Sequence, residues 1–471
     1  MSLPMFSKVV LLLFHVVVAN SLYSLQQQQQ QKPSCHDEEL SALLQFKKSF
    51  IITKSASGYN GSYPKVSSWK RAEEAYTSCC SWDSVECDVQ TGHVIGLDLS
   101  SSCLYGSINS NSSLFLLVHL QRLNLADNRF NYSQIPSRIS NLRRLTYLNL
   151  SASVFSGHVP SEVTQLSMLS SLDLFLNLDG FSGENLLKMD ASNMRSLVQN
   201  LTSLEKLSLN FINISSAVPD SIANLSFLKS LTLRDCGVFG QFPAGVFKLP
   251  NLKILSLRFN QDLTGYLPEF NQSSPLMVLK IAGTSFSGKL PSSIENLGSL
   301  NELDVGSCSF SGIVPFSLGN LRQLNYVDLS FNKFNGPIPT SLANLTELTH
   351  LLLSNNNFSA GALSWLAKQT KLNDVYLESI NLSGDIPSSL RNLTQLTRLN
   401  LPKNHLTGPI PSWLGNLTKL VDIYLSQNKL HGSLPESIYN VMNLRNLLLD
   451  ENNLSGIVEF DKLLNLRNLI R

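Results

Sequence analysis

Leu324-Asn325-Tyr326-Val327-Asp328-Leu329-Ser330-Phe331-Asn332-Lys333-Phe334-Asn335-Gly336-Pro337-Ile338-Pro339 is the stretch whose reading settles the fold. Val327 and Leu329 alternate with polar neighbours, so they point inward from a short strand while Asn325, Tyr326, Asp328 and Ser330 point out. Asn332, three residues after the second apolar position, carries an amide that can bond the backbone of the turn and of the next unit. Gly336 suits a turn needing positive φ, and Pro339 fixes φ where the chain crosses to the opposite side.

The same pattern recurs along the chain. Its first apolar position falls at Leu207, Leu231, Leu255, Leu279, Leu303, Val327, Leu351, Val375, Leu399, Ile423 and Leu447, a constant step of 24 residues. Upstream, Leu97, Leu123, Leu148 and Leu172 step by 26, 25 and 24. Such self-similarity marks a solenoid, and the consensus L-x-x-L-x-L-x-x-N/C-x-L is that of the leucine-rich repeat. The polar ladder position holds Asn128, Asn177, Asn260, Asn332, Asn356, Asn404, Asn428 and Asn452. Cys236 and Cys308 occupy it in two units and read as buried structural thiols. Hexapeptides of the form L/F-x-G-x-I/L/V-P follow, from Phe155–Pro160 to Leu430–Pro435, and then Ser-Ile/Leu-x-Asn-Leu, whose Ser can cap a helical turn. The expected fold is an α/β leucine-rich-repeat solenoid: a curved, right-handed superhelical array of 24-residue repeats. Parallel strands line the concave side, with 3₁₀ or short α segments on the convex side.

Two irregularities stand out. The step from Leu172 to Leu207 is 35 residues, so residues 177–197 are expected to loop out of the array. Phe358-Ser359-Ala360-Gly361-Ala362-Leu363 loses the usual Gly and Pro places, so the convex crossing of that unit should differ.

Composition bounds the function. The 471 residues carry 36 Lys+Arg against 34 Asp+Glu, a balance that gives no basic field for a nucleic-acid backbone. Lys8, the apolar run Val9–Ala19 and small residues at Ala19 and Ser21 read as a secretory signal peptide over residues 1–21, cleaved after either small residue. Residues 22–34 form a Gln-rich leader, residues 35–92 an N-terminal cap, and residues 93–471 about fifteen repeats plus the start of a sixteenth at Leu466. No later apolar stretch is long enough to span a bilayer, which needs about 20 apolar residues. The array stops without a closing unit, so the sequence reads as the N-terminal part of a longer ectodomain or as a truncated product.

Export gives meaning to fourteen N-x-S/T sequons, at Asn60, Asn111, Asn131, Asn149, Asn200, Asn213, Asn224, Asn271, Asn344, Asn357, Asn381, Asn392, Asn416 and Asn453. Glycans on Asn344, Asn392 and Asn416 are expected on the convex side, leaving the inner face open. That inner face is the expected binding surface of a solenoid. Its outward positions include Tyr376, Glu378, Arg398, Asn400, Lys403, Tyr424, Gln427 and Asp450 toward the C-terminus, and Lys206, Phe211, Arg234, Lys253, Arg258 and Phe259 nearer the start. Exposed Tyr and Arg make interface anchors, although most side chains on such a face are merely solvated. The eight His are dispersed, with no metal-ligand spacing, and no phosphate loop or kinase motif set is found. No enzyme, metal or cofactor is expected.

The cap carries a more specific likeness. Cys35-His36-Asp37-Glu38-Glu39-Leu40 opens a helix in which Leu40, Leu43, Leu44 and Lys47 share a spacing. Trp69 and Cys79-Cys80-Ser81-Trp82-Asp83-Ser84-Val85-Glu86-Cys87 follow. This resembles the cap of plant extracellular leucine-rich-repeat proteins, C-C-x-W-x-G-V-x-C, with Ser84 in place of the usual Gly. The likeness implies disulfides Cys35–Cys79 and Cys80–Cys87. Cap, period and the entry Gly92-His93-Val94-Ile95-Gly96-Leu97-Asp98-Leu99-Ser100 are most similar to plant receptor-like proteins, kinase-less cell-surface receptors. That resemblance implies recognition of a peptide, protein or glycan ligand and signalling through adaptor and co-receptor kinases in defence or development. It also implies a plasma-membrane location through a C-terminal anchor if the protein continues past Arg471, and an extracellular one otherwise. The alternatives are a secreted inhibitor resembling those that block fungal polygalacturonases, or a truncated, non-functional receptor copy.

Overall fold

The computed structural model describes residues 35–70, 78–359, 361, 363–464 and 466–470. The expected signal peptide and Gln-rich leader lie outside the described residues.

The fold is the expected solenoid, organised by one sheet of sixteen strands. Fifteen of them, from Val94–Asp98 to Asn446–Leu448, are successive and parallel, one per repeat. Register never slips along the array: Leu207 pairs with Leu231, Leu231 with Leu255, and Leu303 with Val327. A slip of one residue would turn every inward Leu to solvent, so the apolar alternation pins the register. Both apolar positions of each strand are buried almost throughout the array.

The ladder asparagines hold the turns behind the strands. Asn128 Nδ2 donates to Leu99 O at 2.7 Å in the preceding repeat and to Leu125 O at 3.1 Å in its own, while Asn128 Oδ1 accepts from Leu104 N at 3.0 Å. The bonds therefore run to the preceding repeat, where the sequence suggested the next, because the side chain lies beneath its own strand end. Cys236 Sγ donates to Leu209 O at 3.1 Å and Cys308 Sγ to Ile281 O at 3.2 Å from the same position. Burial pushes the Cys236 thiol up to about 12, which keeps it protonated and unreactive.

On the other side the chain makes 3₁₀ turns such as Thr340–Asn344 and Ser412–Asn416, each entered from a proline in extended conformation. The Ser expected to cap these turns does not do so; it lies inside the turn and ties neighbouring turns together. Ser341 Oγ donates to Phe316 O at 2.7 Å and Ser437 Oγ to Ser412 O at 2.7 Å, each one repeat back.

A second parallel sheet links the segments that follow the ladder position. Its six strands are Gly240–Gln241, Asn260–Gly265, Thr284–Gly288, Ser309–Ile313, Lys333–Gly336 and Asn357–Phe358. Gly336 has φ +71°, and a Cβ there would meet Ile313 Cγ2 at 2.8 Å, so the position admits only glycine without adjustment. Beneath this sheet Phe310, Phe334 and Phe358 stack, with centroids 6.3 and 6.5 Å apart.

The cap closes the first repeat. Helix α1 (Asp37–Lys48) buries Leu40, Leu43 and Phe46, and Val85–Cys87 pairs antiparallel with the first repeat strand. Cys35 is bonded to Cys79 and Cys80 to Cys87. Trp69 stacks on Trp82 at 5.7 Å and donates its indole N–H to Asp83 O. Ser84 adopts φ +67°, the left-handed conformation that a glycine would take without strain.

Residues 177–197 do not loop out as a unit. Asn177 keeps its ladder bonds, Leu187–Lys188 pairs with Gly157–His158, and helix α2 (Ala191–Asn200) stands where other repeats place a 3₁₀ turn. Leu187, Met189, Met194, Leu197 and Val198 are buried, so the apolar content of the insert draws it into the core. Only residues 179–184 stand away from it, with Phe181 93 % exposed. In the unit lacking Gly and Pro, the turn Ser364–Lys368 is entered from Leu363 instead of proline.

Candidate ligand-binding face

The outward positions of the parallel strands form columns at a 24-residue spacing, and the side chains in a column meet across neighbouring strands. Arg398 Nη1 lies 3.0 Å from Asp374 Oδ2 and Arg398 Nε 3.2 Å from Asp422 Oδ2. His350 Nε2 is 3.3 Å from Asp374 on one side, and Asn446 Nδ2 donates to Asp422 Oδ1 at 2.7 Å on the other. Five successive strands thus carry a ladder His350–Asp374–Arg398–Asp422–Asn446. The two aspartates hold the Arg398 guanidinium above its usual range. In the adjoining columns Lys403 meets Glu378 at 2.7 Å, Gln427 meets Glu451 at 3.1 Å, and Asp450 accepts from Ser426 Oγ at 2.6 Å. Tyr376 and Tyr424 are half-buried beside the ladder, and burial raises the Tyr376 hydroxyl with Asp374 adding to it. Asn400 Oδ1 is buried without a partner among the described residues.

The expected residues of this half are therefore gathered on one surface. Sequence reading missed His350, Asp374 and Asp422, although all three occupy the place just before the first inward residue, and their signs alternate around Arg398 every 24 residues.

The earlier strands carry a different arrangement. The Arg234 guanidinium lies 5.2 Å from the Phe211 ring centroid and 4.9 Å from that of Phe259. Arg258 lies 5.0 Å from the Phe259 ring and 3.1 Å from Asp304 Oδ2. Lys206 pairs with Asp173 at 2.7 Å, and Lys253 is exposed. Burial pushes the Asp304 carboxyl up to about 6 against the opposing pull of Arg258.

The sequons distribute over more than one side. Asn344, Asn392 and Asn416 are exposed at the ends of 3₁₀ turns, away from the strands. Asn357 and Asn453 open strands of the lateral sheets. Asn149, however, lies within the strand Tyr147–Asn149, half-buried and accepting from Ser151 N, so the inner face is not free of acceptors. Among the described residues, the one grouping with metal-ligand distances is Cys35, Cys79 and Cys80, whose sulfurs are all spent in disulfides. No described helix is long and apolar enough to cross a membrane.

Comparison with known proteins places this geometry. The leucine-rich-repeat N-terminal domain family matches residues 36–88, and leucine-rich-repeat families match residues 119–142, 298–358 and 394–454. Receptor-like protein 6 of Arabidopsis thaliana is 38 % identical over 312 residues, covering 64 % of this chain and 30 % of that protein. Receptor-like protein 7 of the same plant is 46 % identical over 267 residues, covering 56 % and 26 %. In its cap and repeats the chain is similar to plant leucine-rich-repeat receptor-like proteins. The chain spans about 30 % of the length of the curated relatives it matches. Among solved structures, the receptor-like fold here is similar to the plant peptide hormone receptor RGFR1 in complex with RGF2, with TM-score 0.63 and 28 % identity over 83 % of this chain and 63 % of that one.

Proposed function

We propose that the strand face recognises an extracellular peptide or protein ligand for a plant cell-surface receptor-like protein, which signals in defence or development through adaptor and co-receptor kinases. The observation that carries this reading is the preorganised ladder from His350 to Asn446, flanked by Tyr376 and Tyr424. Its charges are already held in place, so a ligand that docks across them meets little reorganisation. The half-buried Tyr residues beside it are of the type that dominates interface energies. The similar receptor solved with RGF2 supports a peptide-sized occupant. The location follows from the same reading: the cell surface when a C-terminal anchor is joined to this array, the extracellular space otherwise.

The test is selection of a displayed peptide library on the secreted ectodomain, followed by hydrogen–deuterium exchange with the selected peptides. Protection is expected at Asp374–Tyr376, Arg398–Asn400 and Asp422–Tyr424. Protection confined to the 3₁₀ turns would overturn the reading.

A further inference from the structure

Arg234 is held differently from the ion-paired cations of the strand face. Arg258, Lys206, Lys280, Arg398 and Lys403 each have a carboxylate oxygen within 3.2 Å. Arg234 has no carboxylate partner among the described residues, and its Nε is buried without a hydrogen-bond acceptor. Two phenyl rings hold it instead, Phe211 at 5.2 Å and Phe259 at 4.9 Å. The floor beside it is made of small hydroxyl residues, because Ser208, Thr232 and Ser256 occupy one outward column in direct register on three adjacent strands. Farther along the array the same column holds Asp304, Asp328, Tyr376, Asn400 and Tyr424.

We infer that Phe211, Arg234 and Phe259 form a subsite for an oxyanion carried on or beside a flat apolar group of the ligand. The inference rests on the proposed use of the strand face for ligand recognition. A guanidinium has five N–H donors in a planar fork that matches carboxylate, sulfate and phosphate oxygens. Stacking between rings orients that fork without consuming its donors, since the rings contact its faces and leave its edge available. Phe259 is 44 % exposed, which leaves apolar surface for an aromatic or aliphatic neighbour of the anion. The column of small hydroxyl residues lies on the same strands and leaves that part of the face free of bulky side chains. Charge complementarity selects the occupant: a cation with no carboxylate partner among the described residues attracts an anion and repels an ammonium group.

The defined probes are benzoate, phenyl sulfate, phenyl phosphate and, as the cationic counterpart, benzylamine. Their binding to the secreted ectodomain is measured by ligand-observed NMR for wild type, Arg234→Gln, Phe259→Ala and Arg391→Gln. At least one aryl oxyanion is expected to bind in the millimolar range and to lose about tenfold or more in Arg234→Gln, with a smaller loss in Phe259→Ala. Arg391→Gln, in the 3₁₀ turn Ser388–Asn392, should bind it as wild type does, and benzylamine should not bind at this subsite. The rank of the three oxyanions tells which source the subsite prefers. A second readout uses only the wild-type chain: phenylglyoxal should modify Arg234, and the bound oxyanion should protect it. Equal binding to wild type and Arg234→Gln, or absence of binding by all three oxyanions, would overturn the subsite. Library peptides that still protect the strands around Arg398 would then leave the wider reading standing, whereas loss of that protection would sink it separately.

Discussion

Asn404 Nδ2 lies 2.8 Å from the carbonyl oxygen of Leu377, 27 residues earlier, and 3.0 Å from that of Leu401 in its own repeat. Its Oδ1 accepts from Ile380 N and Leu382 N, so one buried side chain satisfies backbone groups in two consecutive repeats. Asn404→Ala leaves those groups unpaired in a dry interior and should cost about 2–4 kcal/mol. In a repeat array the damage should spread to neighbouring units first. Urea unfolding combined with hydrogen exchange checks this: faster exchange is expected around residues 377–406, with the cap and early repeats unchanged.

Asp304 predicts a pH dependence of stability. Its carboxyl is buried and titrates in the folded protein near 6, above the ordinary 3.8 of the unfolded chain. Between those values the folded state holds a proton that the unfolded state has released. Stability from this group is therefore full below about pH 4 and is lost as pH rises through about 6. Arg258 and Lys280 oppose the shift and Asp328 adds to it. Asp304→Asn should accordingly gain stability relative to wild type, by about 2 kcal/mol, as pH is raised from 4 to 7. Melting curves of the two proteins across that range measure it, and a gap that is constant with pH would contradict it.

The two cap disulfides should differ in weight. Cys35–Cys79 closes 44 residues and Cys80–Cys87 only 7. Chain entropy alone gives about 4 kcal/mol for the longer loop and about 2 kcal/mol for the shorter. The pair Cys35→Ser with Cys79→Ser should lower the denaturation midpoint of the cap more than Cys80→Ser with Cys87→Ser. Tryptophan fluorescence from the stacked Trp69 and Trp82 reports cap unfolding directly.

The insert makes a contrast within a few residues. Leu187 is fully buried, and Leu187→Ala should cost about 2–5 kcal/mol through the cavity it leaves. Phe181 is 93 % exposed, and Phe181→Ser should change stability by no more than about 0.5 kcal/mol. Parallel denaturant titrations compare the two.

Much of the molecule was legible because its physics is periodic. The recurring inward pair, the ladder Asn and the Pro before each turn fix strand, register and crossing by local rules. The insert was misread because its spacing departs from 24 residues, yet Met194, Leu197 and Val198 carry a plain helical spacing that places α2 against the core. The lateral sheet was missed since its strands alternate weakly and depend on glycines at positive φ. On the strand face, Tyr and Arg were singled out as residue types, whereas the acidic partners Asp374 and Asp422 show only when positions 24 apart are compared by sign. The unpaired state of Arg234 depends on which carboxylates lie near it in space, and no spacing in the sequence reports that.

The central claim, that a ligand occupies the strand face, is tested most directly with a glycan wedge. Pro402→Thr completes an acceptor at Asn400, at the strand position equivalent to Asn149 in an earlier repeat. Met442→Thr completes one at Asn440, at the end of a 3₁₀ turn on the opposite side. With both glycans verified by mass, binding of the library-selected peptides should be lost in Pro402→Thr, restored by adding Asn400→Gln, and unchanged in Met442→Thr. Retained binding in glycosylated Pro402→Thr, or loss in Met442→Thr alone, would contradict the account.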